Sequence, residues 1–293
     1  MNFAKRQDLL SFDELHFLSR IFCSLGVTKI RITGGEPFVR NGIIPFLGGL
    51  TKVEGLEEIT VTTNGTLSLP HIASLKAMGI RKINISIDSL DKGKFFQITR
   101  RDKFDEVYAT IFTLLNEGFE VKLNCVVSAT KNTDEIIPFV ELTKEHKLRV
   151  RFLEEMPFNG SSDFDHLNWT SKDVMDHILK IYTSVSSLKN EPNSTSLNYQ
   201  VEGYKGSFGV IPSFSRTFCG TCNRIRLSAK GELRTCLYGQ PAANLRDLLR
   251  SGAGVREIED TIIEAVQGRA RNGFEAEASS VQDVRESMSV LGG

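Results

Sequence analysis

Lys29-Ile30-Arg31-Ile32-Thr33-Gly34-Gly35-Glu36-Pro37, KIRITGGEP, decides the architecture. Its first five residues alternate in polarity and predict a short strand over Lys29–Thr33. Gly34-Gly35 at the strand end permits close approach of the backbone to a ligand and is too short to be a dinucleotide fingerprint. A helix follows from about Ile43 to Lys52, and the strand–turn–helix unit then recurs. Strands are expected near Glu58–Thr62, Lys82–Ile87, Glu120–Val127 and Arg149–Leu153, and helices near Pro70–Met78, Phe104–Glu117 and Thr133–His146. Strands alternating with helices at this spacing make parallel, right-handed βαβ units. The fold class is therefore α/β, as a partial (β/α) barrel or a doubly wound sheet.

Upstream of this stretch, Ser11 and Glu14 form a capping box, with Leu10 and Leu15 placed as its hydrophobic staple. The helix runs to about Leu25 and stops at Gly26. Downstream, polar residues mark each strand end: Thr33 to Glu36, Thr62 to Gly65, Ser86 to Ser89, and Arg151, Glu154 and Met156, with Lys122 and Asn124 on the fourth strand. Ligands of parallel α/β folds bind at the carboxyl ends of strands. A single polar strand end is no more than a turn, but the succession, with Lys29, Arg31, Lys122 and Arg151 in it, reads as a mouth suited to a polyanion such as a phosphate group.

Thr170 caps a helix to about Tyr182, with Asp173 adding charge to its first turn. Ser184–Gln200 is rich in Ser and Asn and reads as a surface connection into a hairpin region, Tyr199–Ile211. Beyond it, Phe218–Leu237 (FCGTCNRIRLSAKGELRTCL) holds three of the five cysteines, Cys219, Cys222 and Cys236, spaced C-x2-C-x13-C. Three thiolates suit iron–sulfur or zinc and are one short of a closed tetrahedral site. The plainer alternatives are a zinc site with its fourth ligand elsewhere, or buried thiols without a metal. Arg224-Ile225-Arg226-Leu227 alternates like a strand with both guanidiniums on one side, as either solvated edge residues or substrate contacts. Cys23 on the first helix and Cys125 in a strand read as packing residues, and the five histidines as structural or surface groups. A helical tail is expected over Leu245–Arg250 and Glu257–Gln267.

Lys and Arg number 36 and so do Asp and Glu, so no charge excess argues for nucleic acid or an anionic membrane. No apolar run is long enough to span a bilayer and MNFAKRQDLL has no signal core, which leads to a cytoplasmic protein with reduced cysteines.

Taken together, KIRITGGEP, TTNG (Thr62–Gly65), INISIDSL (Ile83–Leu90), VKLNCVV (Val121–Val127), VRFLEEM (Val150–Met156), the cysteine stretch and the terminal Gly292-Gly293 resemble one family. It is the GTP 3′,8-cyclases, the MoaA type of molybdenum cofactor biosynthesis, in the radical S-adenosylmethionine superfamily. GGEP alone would point only to the superfamily; the cysteine stretch with its paired arginines and the double-glycine end are specific to the family. The resemblance implies a partial barrel over residues 1–156 and a C-terminal iron–sulfur domain over residues 157–293. It implies that Cys219, Cys222 and Cys236 hold a second 4Fe–4S cluster facing GTP. Lys29, Arg31, Thr62, Lys122, Arg151, Arg224, Ile225 and Arg226 are the implied GTP contacts. Gly35, Asn64, Ser86 and Met156 are the implied contacts to S-adenosylmethionine, and Gly292 and Gly293 are implied to assist the reaction. A reductant, a downstream cyclic pyranopterin monophosphate synthase and a homodimer are the implied partners.

The resemblance breaks at the N-terminus. The family binds its first 4Fe–4S cluster through C-x3-C-x2-C just upstream of the capping-box helix, where Met1–Leu10 holds no cysteine. Cys23 and Cys125 cannot form a local triad. The expectation is an N-terminally incomplete chain, its Lys29–Thr33 strand left as a sheet edge, that does not start the reaction by itself. A non-catalytic GTP- and cluster-binding paralogue and a zinc-binding module are the competing readings.

Overall fold

Ser11 opens the first helix through the reciprocal box: its Oγ accepts from the Glu14 N–H at 3.0 Å, and the Glu14 carboxylate accepts from the Ser11 N–H at 2.6 Å. Gly26, at φ +94°, closes it. The Val27 N–H reaches back to the Phe22 carbonyl and the Gly26 N–H to that of Cys23, both at 3.0 Å, satisfying carbonyls that a helix end leaves over. The computed structural model describes residues 5–156, 169–190, 192–216 and 219–278.

In chain order the elements are α1 (Phe12–Ser24), β1 (Lys29–Ile32), α2 (Ile43–Leu50), β2 (Glu58–Thr63), α3 (Ile72–Ala77), β3 (Lys82–Ser86), α4 (Lys92–Thr99), α5 (Phe104–Asn116), β4 (Glu120–Val127), α6 (Ile136–Glu145) and β5 (Arg149–Glu154). Then follow α7 (Ser171–Leu179), β6 (Val185–Ser187), β7 (Leu197–Val201), β8 (Ser207–Ile211), β9 (Arg226–Leu227), β10 (Glu232–Arg234), β11 (Ala243–Asn244), α8 (Leu245–Arg250), α9 (Val255–Gln267) and α10 (Gly273–Ala278). The chain divides into two compact units, Met1–Ile59 with Asn223–Gly293, and Thr60–Cys222.

The first unit joins the two ends of the sequence. Leu10, Leu18, Ile21 and Phe22 share one buried cluster with Leu233, Leu245, Ile258 and Ile262. Each such side chain contributes about 1.5–3 kcal/mol by leaving water. Polar ties reinforce it: the Leu10 N–H donates to the Ala229 carbonyl at 2.8 Å, and Arg250 donates to the Gln7 and Leu9 carbonyls at 2.6 and 2.9 Å. β9, β10 and β11 make a small antiparallel sheet in the order β11-β10-β9. β1 stands at one end of the strand order among the described residues.

The second unit is built on strands in the order β2-β3-β4-β5-β8-β7-β6. β2 through β5 and β8 run parallel, and β7 and β6 are antiparallel additions. The registers sort the side chains by face. Val61, Ile83 and Val121 align, as do Thr63, Ile85, Leu123 and Val150, on a buried face that is almost wholly apolar. The other face carries Thr62, Asn84, Lys122 and Arg149 in one row and Ser86, Asn124 and Arg151 in the next. A mostly parallel α/β sheet is therefore present as expected, and one of its faces is polar.

Several elements depart from the sequence reading. α4 was not anticipated, because Lys92, Gly93 and Lys94 dilute its apolar period; Asp91 nonetheless caps it, accepting from the Lys94 N–H at 2.7 Å. β6 lies inside Ser184–Gln200, where the Ser and Asn content predicts a surface connection. The alternation at Arg224–Leu227 yields a strand only at Arg226–Leu227, since β10 offers backbone partners only there; Arg224 lies outside it. Asp173 completes a full capping box with Thr170, its carboxylate accepting from the Thr170 N–H at 2.9 Å. α10 was also unforeseen. Among the described residues, no helix is long and apolar enough to cross a membrane.

Candidate active site

The polar face of the second unit assembles three of the expected nucleotide contacts. Arg151 Nη2 donates to Asn84 Oδ1 at 2.8 Å, and Asn84 Nδ2 donates to Thr62 Oγ1 at 3.0 Å. Lys122 pairs with Glu120 at 2.9 Å. Its ammonium holds its proton less tightly than an ordinary lysine, through burial first; the Glu120 bond opposes this, and Arg151 and Arg149 add repulsion. Three cationic side chains on neighbouring strands of one parallel sheet form a region to which an anion is drawn.

On the same unit, Ser86 ends β3 and is exposed, and Met156 lies half-buried just beyond β5. Asn64 follows β2, and its Oδ1 accepts from the Thr66 N–H at 2.9 Å and the Thr66 hydroxyl at 2.7 Å. That acceptor is therefore engaged in the turn itself. Gly65 is held there at φ +79°, its carbonyl accepting from Thr110 Oγ1 at 2.9 Å. Asp88, past the end of β3, accepts from the Val126 N–H at 2.8 Å, and burial raises its carboxyl above the usual range.

The first unit holds the remaining basic residues. Arg31 is exposed in surface terms yet crowded by neighbouring atoms. Burial comes first in weakening its hold on the proton; repulsion from Arg224 and then Arg226 follows, and Glu58 opposes it. Residues from opposite ends of the chain thus concentrate positive charge in one place. Lys29 pairs with Glu58. Ile225 packs against the buried cluster of this unit, between the two arginines. Gly35 is exposed, and a Cβ built on it would meet nothing within 4 Å. Gly292 and Gly293 lie outside the described residues.

None of the five cysteines is in a disulfide. Cys23 and Cys125 are buried, and burial pushes both thiols up, that of Cys125 strongly, as packing residues require. Cys219, Cys222 and Cys236 are half-exposed. Cys219 and Cys222 share one turn, in the second unit, with the Cys222 N–H donating to the Cys219 carbonyl at 3.2 Å. Cys236 follows β10 in the first unit. Among the described residues, no group of three or more His, Cys, Asp or Glu side chains is gathered as a metal site. The donor chemistry, half-exposed thiols outside any disulfide, fits a soft cluster. The fit ends there, so no reaction step is derived through one.

Sequence reasoning did not single out Asn84, although it stands in INISIDSL on the same strand face as Ser86. No local pattern connects Arg31 to Arg224 and Arg226; only the family resemblance names the three together as GTP contacts.

Two family models cover most of the chain: the radical SAM superfamily over residues 2–143 and Molybdenum Cofactor Synthesis C over residues 148–274. The chain is 38% identical to "GTP 3′,8-cyclase" of Ectopseudomonas mendocina (strain ymp), over 100% of this chain and 89% of that protein. It is 39% identical to "GTP 3′,8-cyclase, mitochondrial" of Arabidopsis thaliana, over 89% and 67%. Identity to "Molybdenum cofactor biosynthesis protein moc-5" of Caenorhabditis elegans is 40%, over 90% of this chain and 44% of that protein. The chain thus spans less than half the length of that relative. Among solved structures, Streptococcus suis SuiB matches with a TM-score of 0.56 at 13% identity, over 82% of this chain and 59% of that one. At that identity the likeness is one of fold.

Proposed function

The chain belongs to the GTP 3′,8-cyclase family of the radical S-adenosylmethionine superfamily, and on that premise we propose that it binds GTP and S-adenosylmethionine and converts GTP to (8S)-3′,8-cyclo-7,8-dihydroguanosine 5′-triphosphate. The observation that carries this reading is the convergence of Arg31 with Arg224 and Arg226. Like charges held together are costly in the free protein and favourable once a polyanion lies among them.

In this reading Lys29, Arg31, Lys122 and Arg151 hold the triphosphate, Thr62 donates to it or to the sugar, and Arg224, Ile225 and Arg226 border the guanine. Gly35 admits S-adenosylmethionine close to the backbone, with Ser86, Met156 and Asn64 beside it, and Gly292 and Gly293 assist the reaction. Cys219, Cys222 and Cys236 are the thiols that would hold a substrate-side 4Fe–4S cluster. With S-adenosylmethionine bound, an iron–sulfur cluster would supply radical chemistry at the ribose 3′ position. The residues named here bind the nucleotide and hold its 3′ carbon toward C8. The electron comes from a separate reductant, the product passes to cyclic pyranopterin monophosphate synthase, and the protein works in the cytoplasm, as a homodimer. The barrel occupies residues 1–156 and the iron–sulfur domain residues 157–293.

The test is anaerobic reconstitution with iron and sulfide of the chain as encoded, followed by mass spectrometry of nucleotides after adding GTP, S-adenosylmethionine and dithionite. Reading the DNA ahead of Met1 for an in-frame C-x3-C-x2-C establishes the chain to use. The expected result is 5′-deoxyadenosine formed together with the cyclised nucleotide. GTP bound without either product overturns the enzyme reading in favour of a nucleotide-binding protein.

A further inference from the structure

Asn84 stands between two of the proposed GTP contacts and has no role assigned so far. It is 2% exposed, on β3, in register with Thr62 on one side and Lys122 on the other. Its two hydrogen bonds leave no freedom of direction. A guanidinium can only donate, so the Arg151 bond at 2.8 Å must end on the amide oxygen of Asn84. The amide nitrogen is thereby turned to Thr62 Oγ1, at 3.0 Å, and it too can only donate. The Thr62 hydroxyl therefore receives a proton from Asn84 on a lone pair. Among the described residues no side chain accepts the hydroxyl's own proton. Thr62 is buried, so that proton has a need for an acceptor that bulk water meets poorly.

We propose that Asn84 is a positioning residue that locks Thr62 as a hydrogen-bond donor and holds Arg151 in place, so that these two side chains both present donors to a ligand. Such a pair favours acceptor oxygens, those of a phosphate or a sugar. The proposal rests on the reading of Thr62 and Arg151 as GTP contacts. It adds to that reading the direction of the Thr62 bond and the residue that sets it.

Asn84→Asp tests the direction. A carboxylate accepts on both oxygens, so it keeps Arg151 and draws the Thr62 proton inward. The measurement is the GTP dissociation constant, by calorimetry on the anaerobically reconstituted full chain, for wild type, Asn84→Asp, Thr62→Val and the double variant. Thermal unfolding without GTP accompanies each. Asn84→Asp is expected to weaken GTP binding about tenfold or more in the wild-type background, the scale of one lost hydrogen bond to a charged group. In the Thr62→Val background, where no donor remains to be turned, the added loss is expected to be at most about threefold, the remainder being the effect of the new charge. Thr62→Val alone is expected to lose about tenfold and Thr62→Ser to stay within about threefold of wild type.

Equal losses from Asn84→Asp in both backgrounds overturn the proposal, since a residue that acted through charge or folding alone would give that pattern. If Asn84→Asp does not fold, Thr62→Val binding GTP as well as wild type overturns it independently. Failure of the wild-type chain to bind GTP overturns the functional reading, and the proposal with it. Wild-type binding without coupling between positions 62 and 84 overturns the proposal alone.

Discussion

Glu154 holds Ser215 at two points: its Oε2 accepts from the Ser215 N–H at 2.7 Å and its Oε1 from the Ser215 hydroxyl at 2.8 Å. The same Oε1 accepts from the Ser171 N–H at 2.7 Å. Glu154 is 4% exposed, at the end of β5, and fastens the start of α7 and the chain leaving β8. The Ser215 turn leads directly to the cysteines, with the Cys219 N–H donating to the Arg216 carbonyl at 3.2 Å. Glu154→Gln puts an amide N–H2 against donors that need an acceptor. The expected cost is about 2–3 kcal/mol, measured by urea unfolding, because a buried donor left unmatched loses its full solvation. The thiols of Cys219 and Cys222 should also react faster with a disulfide reagent. Unchanged stability and unchanged thiol rates would refute this role.

Arg250 grips Glu14 with two bonds, Nε to Oε1 at 2.7 Å and Nη2 to Oε2 at 3.0 Å. This pairing holds the Glu14 carboxyl at about 2, below its ordinary 4.5. A depressed folded-state value stabilises above the unfolded one and loses that stability as pH falls through the folded one. The contribution is therefore complete above pH 4.5 and fades toward pH 2. The pair is open to water, so after allowance for screening Glu14→Gln is expected to cost only about 0.5–1 kcal/mol at neutral pH. Stability curves of wild type and variant should converge near pH 2, as followed by circular dichroism.

Gly65 sits at φ +79°, and an added Cβ would lie 3.2 Å from Val107 Cγ1 and 3.4 Å from Ile85 Cγ2. Gly65→Ala therefore meets both backbone strain and crowding. A loss of about 1–2 kcal/mol is expected in chemical unfolding. Gly118, at φ +78° with nothing within 4 Å, supplies the control, where alanine should cost the backbone component alone.

Arg31→Ala removes a guanidinium that Arg224 and Arg226 repel. GTP affinity is expected to fall about tenfold to a hundredfold, since charge-assisted contacts to phosphate carry about 1.5–3 kcal/mol each. The loss should shrink as salt is raised, because screening weakens exposed charge most. Arg224 and Arg226 should at the same time hold their positions more easily, so the free protein should not be less stable. Titration calorimetry at two ionic strengths checks both points.

The α1 box was legible because Ser11, Glu14 and Gly26 act within a few residues of one another, and capping is a local hydrogen-bond problem. The βα alternation was legible for the same reason: period two and period 3.6 are properties of adjacent residues. β6, β9 and α4 were not, because a strand of two or three residues exists only where a neighbour offers its backbone, and α4 is held by Asp91 and buried Phe95 rather than by period.

The sequence by itself determined the α/β class, the capped first helix, the burial of Cys23 and Cys125, and the family through its motifs. It also supplied the candidate site as a set of names. Only the tertiary structure decided which of those names meet. Arg31 feels the charge of Arg224 and Arg226 because the two ends of the chain bury Leu10, Leu18, Leu233 and Leu245 together, and Asn84 bridges Thr62 and Arg151 because strand register aligns them. Both are outcomes of long-range packing, which responds to the apolar area buried by the whole unit and leaves no periodic trace at the residues it brings into contact.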